Sequence, residues 1–350
     1  MATYLVTGAA GFIAANVCTQ LLKAGHEVVG IDDLNGSYDA RLKMYRLNLL
    51  LGRISSSVTW MQETAGHWLT RGTQVGEGGK FRFMPVNLVD LPAVEQLFAN
   101  FKFAAVFNLA ARAGVRASLL APEEFLATNT LGALNILKCL HKYGVPQQVL
   151  ASTSSLYAGC PLPWSEDQPV NTPLSPYAAS KKAAELFAYS YFKMYGIHTT
   201  VVRYFTVFGP AGRPDMSIFR FIKWIDTGHE VEIFGDGTQT RDFTYVEDIA
   251  RGTILAAKPL GFDVINLGGG RAPVSLLEVI GWIEERIGKK ARLIHRDFHA
   301  ADILESGADI AKAARQLGWQ PTVGVREGLD RTIDWYLENK QWLGAIETPH

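Results

Sequence analysis

The stretch VTGAAGFIAA, residues 6–15, constrains this chain more tightly than any other. It follows a short apolar strand, YLVTG, and opens an amphipathic helix over 11–24. Gly8 and Gly11 permit a tight turn and close backbone approach, so a pyrophosphate can sit on the helix N-terminus. Ala14 holds the third position of the pattern, where a small residue lets the helix pack on a sheet. A glycine pattern alone is weak, but here a strand precedes it and a helix follows. An acid, Asp32, ends the next strand about 20 residues on. Asp32 can accept hydrogen bonds from a ribose diol and would repel a 2′-phosphate, which favours NAD over NADP.

The same β-then-α alternation continues through the first half. EVVGIDD, KFRFMPVNL, AAVFNLAA, QQVLASTSS and HTTVVRYF read as strands, with helices at 90–100, 122–143 and 176–195 between them. Near-continuous apolar strands fit a parallel sheet buried on both faces, so the fold class is α/β, a Rossmann-type doubly wound sheet. We expect an NAD-binding domain over 1–205 with a return at 243–268, and a smaller C-terminal substrate-binding lobe from 206–242 and 269–350. The polar, glycine-rich 55–79 reads as a surface insertion. Lys+Arg and Asp+Glu both number 34, so no global field draws the chain to nucleic acid or membrane. Cys18, Cys139 and Cys160 are too few for a disulfide framework. No secretory signal and no membrane-length apolar run is visible, so the expected location is cytoplasmic.

LSPYAASKKAAELF, residues 174–187, places Ser175 as an N-cap, Pro176 at the first helical position and Tyr177 in the first turn. Lys181 lies one turn later on the same face. Tyr189 with Lys193 and Tyr336 with Lys340 share the spacing but not the helix end. Moving a phenol from its usual pKa near 10 to neutrality asks for about 4 kcal/mol of anion stabilisation. The lysine ammonium, the helix terminus and an oxidised nicotinamide converge as sources, so a lowered Tyr177 pKa is expected. The preceding strand ends in ASTSS, where Thr153 is placed either to relay a proton or to satisfy its own backbone.

Taken together, the glycine turn, the acid after strand two, NLAA, Asn129 in TNTLG, the Ser/Thr strand end and YAASK resemble an extended short-chain dehydrogenase/reductase. TQTRDFTYVEDIA resembles the signature of its nucleotide-sugar branch. The resemblance implies a Thr153–Tyr177–Lys181 triad. It also implies an NAD site of Gly8, Gly11, Phe12, Ile13, Asp32, Asn35, Asn87, Leu88, Leu109, Ala110, Ala111, Asn129 and Phe205, shared with Tyr177 and Lys181. Asn87 stands where relatives often place an aspartate beside the adenine. Phe234 and Arg241 would line a uridine-diphosphate site, with Val115, Met216 and His299 as further substrate contacts. No metal is implied, since His295, Asp297, His299 and Asp302 show no fixed ligand spacing.

DDLNGSYDARLK, AARAGVR and RYFTVFGPAGRPDM resemble UDP-glucuronate 4-epimerases in particular. A planar guanidinium grips a carboxylate bidentately, which makes Arg213 the candidate for the sugar acid, with Thr206, Ser154 and Ser155 adding hydrogen bonds. Alone, Arg213 reads equally as a loop ion pair. Related 4,6-dehydratases carry an Asp-Glu pair where Ser154 and Ser155 stand, and two serines cannot supply the acid and base of an elimination. The resemblance implies C4 epimerisation of UDP-glucuronate to UDP-galacturonate through a 4-keto sugar, with hydride return from NADH. A neutral-sugar 4-epimerase, a UDP-glucuronate decarboxylase and a non-catalytic NAD-binding sensor are the alternatives. Apolar stripes on 122–143 and 176–195 either cover the sheet or pair as in family dimers, so a homodimer is expected.

Overall fold

The computed structural model describes residues 1–54, 64–298 and 303–348. Seven strands run parallel: β1 (Thr3–Thr7), β2 (Glu27–Asp32), β4 (Phe81–Pro85), β5 (Ala105–Asn108), β6 (Gln147–Thr153), β7 (His198–Tyr204) and the strand Phe262–Leu267. β3 (Gln74–Val75) adds an antiparallel edge on β4. From one edge to the other, the order is Phe262–Leu267, β7, β6, β5, β1, β2, β4, β3. The chain therefore winds outward from β1 in one direction and then crosses to β5 on its other side. The crevice beyond the carboxyl ends of β1 and β5 is the topological switch point, where ligands bind in such sheets. Leu5, Val6, Val106, Phe107, Val149 and Val201 are fully buried, as a sheet covered on both faces requires.

Helix Phe12–Lys23 follows β1 and has no side-chain cap at Gly11, which leaves its first amides open. Helix Pro176–Tyr195 starts on Ser175, whose hydroxyl accepts from the Ala178 amide at 3.2 Å, and ends on Gly196 in a left-handed conformation. Residues 55–63 of the expected insertion lie outside the described residues. Its second half is built into the fold: helix Ala65–Arg71 buries Trp68 completely against Phe83 at 5.8 Å, and β3 caps the sheet edge. The polar composition of the segment hid one large apolar anchor.

The strand Phe262–Leu267 pairs in parallel with β7 at the edge of the main sheet. The remaining small sheets pair Thr206–Phe208 with Phe243–Tyr245, Glu230–Phe234 with Arg292–Arg296, and Thr240–Arg241 with Val274–Ser275. One core runs from Val6 and Val17 under the sheet to Phe219, Ile233 and Ile283. All three cysteines are free, and among the described residues no helix is long and apolar enough to cross a membrane.

Candidate active site

The glycine turn is a cradle with no room for side chains. Gly8 has φ +71, and a Cβ there would lie 2.9 Å from the Ala110 Cα on the neighbouring strand's loop. A Cβ on Gly11 would meet the Gly8 carbonyl at 2.8 Å. Asp32, buried at the end of β2, accepts from the Ala10 and Leu34 amides at 3.2 and 2.8 Å. Lys43 bonds it at 3.3 Å, a partner that sequence reading passed over although it lies in the quoted DDLNGSYDARLK. The closed turn, the uncapped helix and the fixed acid fit a dinucleotide. Asn35 accepts from Lys43 at 3.4 Å, beside Asp32. Thr7 fixes the other wall, its hydroxyl accepting from the Leu109 and Ala110 amides at 2.9 Å. Phe12 and Ile13 open the first helix, and Leu88 is buried under Gly132. Ala111 follows on the β5 loop, and exposed Asn87 turns its carbonyl oxygen to the Val89 amide. Asn129 is a brace: it bonds both backbone atoms of Arg112, at 2.8 and 3.0 Å, and the Ser180 hydroxyl at 2.9 Å. Phe205 packs against Trp164 and Tyr157 below the cleft.

The catalytic candidates meet at the carboxyl end of β6. Tyr177 is half-buried in the first turn of its helix and hydrogen-bonds the Thr153 side chain. Thr153 also bonds the Ser155 hydroxyl and amide, each at 3.1 Å, which orders the turn Ser154–Tyr157. Lys181 is buried and donates to the Ala151 carbonyl at 2.8 Å. The expected lowering of the phenol pKa is not a property of the chain alone. Burial pushes Tyr177 up, against the pull of the Thr153 hydrogen bond and the Arg213 charge. Burial likewise pulls Lys181 down to about 8, opposed by Glu185 one turn on. The spacing did put both residues on one face; desolvation, invisible in spacing, outweighs the helix-end and charge effects.

Glu185 and Arg203 form a buried bidentate pair at 3.0 and 2.8 Å, and Ser152 donates to Glu185 at 2.6 Å. Arg203 also bonds the Tyr157 hydroxyl at 2.8 Å, whose proton goes to Asn266. This network, absent from the sequence reading, ties helix Pro176–Tyr195 to β6, β7 and the strand Phe262–Leu267.

Arg213 stands on the loop after Thr206–Phe208. Its Nε and Nη2 pair with Asp215, and Nη2 also reaches the Ala113 carbonyl at 3.3 Å. Against the cost of burial, Asp215 and the nearby Tyr38 and Tyr177 hold its pKa above the ordinary value. Thr206, Arg213 and Met216 border one cleft together with Phe12. Val115 opens helix Val115–Leu120 across from them. Phe234 ends its strand under the Arg116 guanidinium, 3.8 Å from the ring centroid, a second residue that sequence reading missed. Arg241 donates to the Thr240 and Leu304 carbonyls at 2.8 and 3.3 Å. His299 lies outside the described residues. His295 engages the Gly235 carbonyl at 2.8 Å, and the described residues hold no group of three ligands for a metal.

Residues 4–268 match the family described as the NAD dependent epimerase/dehydratase family. The chain belongs to that family. A UDP-glucuronate 4-epimerase of Thermodesulfobacterium geofontis is 48% identical over 347 residues, covering 99% of this chain and 100% of the relative. Among solved structures, a UDP-glucuronic acid 4-epimerase from Bacillus cereus in complex with UDP-glucuronic acid and NAD is similar, with TM-score 0.83 and 33% identity. That match covers 96% of this chain and 99% of the other. A UDP-glucose 4-epimerase of Thermotoga maritima with UDP-glucose has TM-score 0.79 and 28% identity over 97% of this chain and 99% of its own. The family fold is thus shared by uronate and neutral-sugar enzymes, and the choice between them falls to the side chains of this epimerase/dehydratase family member.

Proposed function

We propose that this chain is an NAD-dependent isomerase that interconverts UDP-glucuronate and UDP-galacturonate at C4. The observation that carries the reading is the place of Arg213: a guanidinium suited to a carboxylate acts electrostatically on the very tyrosine that would take the C4 proton. Gly8, Gly11 and Asp32 would hold NAD, which would supply the acceptor and, once reduced, the donor of the C4 hydride.

The chain's own residues supply proton handling and orientation. Tyr177 takes the C4 hydroxyl proton as C4 is oxidised and returns it as C4 is reduced, with Thr153 in the hydrogen-bond path. A free phenol needs about 4 kcal/mol of anion stabilisation at neutral pH, and Tyr177 needs more because burial raises its pKa; Thr153 and Arg213 offset part of that rise. Phe234 and Arg241 anchor the nucleotide while the 4-keto sugar presents its other face. Ser154 and Ser155 offer hydroxyls where an elimination would need an acid and a base. A 4-keto uronate is a β-keto acid and loses CO₂ when its C5–carboxylate bond aligns with the carbonyl π system. Arg213 and Thr206 hold that bond near the ring plane, which favours epimerisation over decarboxylation.

The expected assembly is a homodimer, supported by apolar side chains exposed on adjacent helices: Leu119, Leu120, Leu126 and Leu131 on one side, Leu186 and Phe187 on the other. Light scattering after size exclusion tests this, and a monomer would reject it. The expected site of action is the cytoplasm. The activity test is to incubate the purified protein with UDP-glucuronate and resolve the products by NMR. UDP-galacturonate is expected. A xylose product with CO₂ release would establish decarboxylation, and near-normal turnover by Tyr177→Phe would refute the proton path.

A further inference from the structure

Three stretches far apart in sequence meet around Arg213. Ala113, from AARAGVR, accepts from Nη2, and Asp215, from GRPDM, holds Nε and Nη2. The third is Tyr38, whose ring centroid lies 5.7 Å from the Arg213 guanidinium carbon.

Tyr38 is itself locked. Arg46 is buried, and among the described residues its hydrogen bonds go to neutral oxygens. Nη1 donates to the Tyr38 hydroxyl at 2.7 Å and the Ala10 carbonyl at 2.9 Å. Nε and Nη2 grip the Ala211 carbonyl at 3.0 and 2.6 Å, and Nη2 reaches Gly212 at 3.3 Å. Ala211 has φ +54, a conformation costly without glycine, so the loop that carries Arg213 is held in a set shape. The Tyr38 ring also lies 5.6 Å from Lys43, the residue bonded to Asp32.

We propose that Tyr38, fixed by Arg46, is a positioning residue that sets Arg213 for the sugar carboxylate and so governs discrimination between a UDP-uronate and its neutral counterpart. Tyr38 acts through Arg213 and not on the reacting carbon. The inference rests on the uronate reading above.

The test is calorimetric binding of UDP-glucuronate, UDP-glucose and UDP to the NAD-loaded protein. Wild type, Tyr38→Leu, Tyr38→Phe and Arg46→Lys are compared. Tyr38→Leu should reduce the preference for UDP-glucuronate over UDP-glucose by about fivefold or more while leaving UDP affinity nearly unchanged. Tyr38→Phe keeps the ring and loses the Arg46 bond, so its loss should be smaller. Arg46→Lys should move the preference in the same direction. An unchanged preference in Tyr38→Leu, or equal weakening of all three ligands, would overturn the proposal, since a purely structural residue behaves that way. No preference in the wild type would instead remove the uronate reading itself.

Discussion

Replacing Glu185 with glutamine should move the alkaline limb of the activity profile while leaving the acid side in place. Glu185 sits one turn after Lys181 on the same helix, and both brace β6, Lys181 on the Ala151 carbonyl and Glu185 on the Ser152 hydroxyl. Side chains one helical turn apart lie about 6 Å from each other, and two unit charges at that separation interact by roughly 2.8 kcal/mol at an effective dielectric near 20. Half of that is already about one pKa unit. Lys181, held at about 8 in the folded chain with Glu185 present, should therefore fall by about a unit or more without the carboxylate. At pH 8 the charged fraction would drop from about a half to about a tenth, a loss of roughly fivefold; at pH 6 both forms stay almost fully charged. The amide is isosteric and keeps an oxygen for Arg203 and Ser152, but it leaves a buried guanidinium without its counter-ion. A stability cost on the order of 3 kcal/mol is expected alongside. The assay is turnover of UDP-glucuronate from pH 6 to 9 on protein shown to be folded by circular dichroism. A uniform loss at every pH, or an unshifted profile, would refute the view that Glu185 keeps the lysine charged.

Further outcomes follow from the same geometry. Lys181 titrates at about 8 folded and 10.5 free, so between those values the unfolded chain binds more protons and wild-type stability should climb with pH. Lys181→Met should abolish turnover, flatten that slope and be more resistant to urea at pH 7. Gly8→Ala should lose bound NAD and cost about 1–3 kcal/mol, because φ +71 and the 2.9 Å contact with Ala110 both oppose a Cβ; NAD released on denaturation reports the first and urea melts the second. Arg213→Ala should depress turnover of UDP-glucuronate far more than any turnover of UDP-glucose, measured side by side; equal losses would reject its assignment to the carboxylate.

The backbone plan was legible in the residues because its causes are local. Gly8, Gly11 and Ala14 stand at spacings that a tight strand-to-helix turn uses, and Ser175, Pro176 and Gly196 mark both ends of helix Pro176–Tyr195. Tyr177, Thr153, Lys181 and Arg213 could be nominated for the same reason: each residue type carries a chemistry, and its position in an element can be read from period and capping. Segment 64–79 was less legible, since one buried tryptophan outweighs a polar composition only when a strand edge is there to receive it. What tertiary structure alone decided was pairing and protonation. Nothing in a one-dimensional pattern brings Tyr38, Ala113 and Asp215 around Arg213, or sets Glu185 on Arg203, because those contacts span from two to a hundred or more positions and depend on how the crossovers pack. The same holds for the phenol of Tyr177. Its pKa is raised chiefly by desolvation, which is a property of the surrounding volume and not of the sequence neighbours.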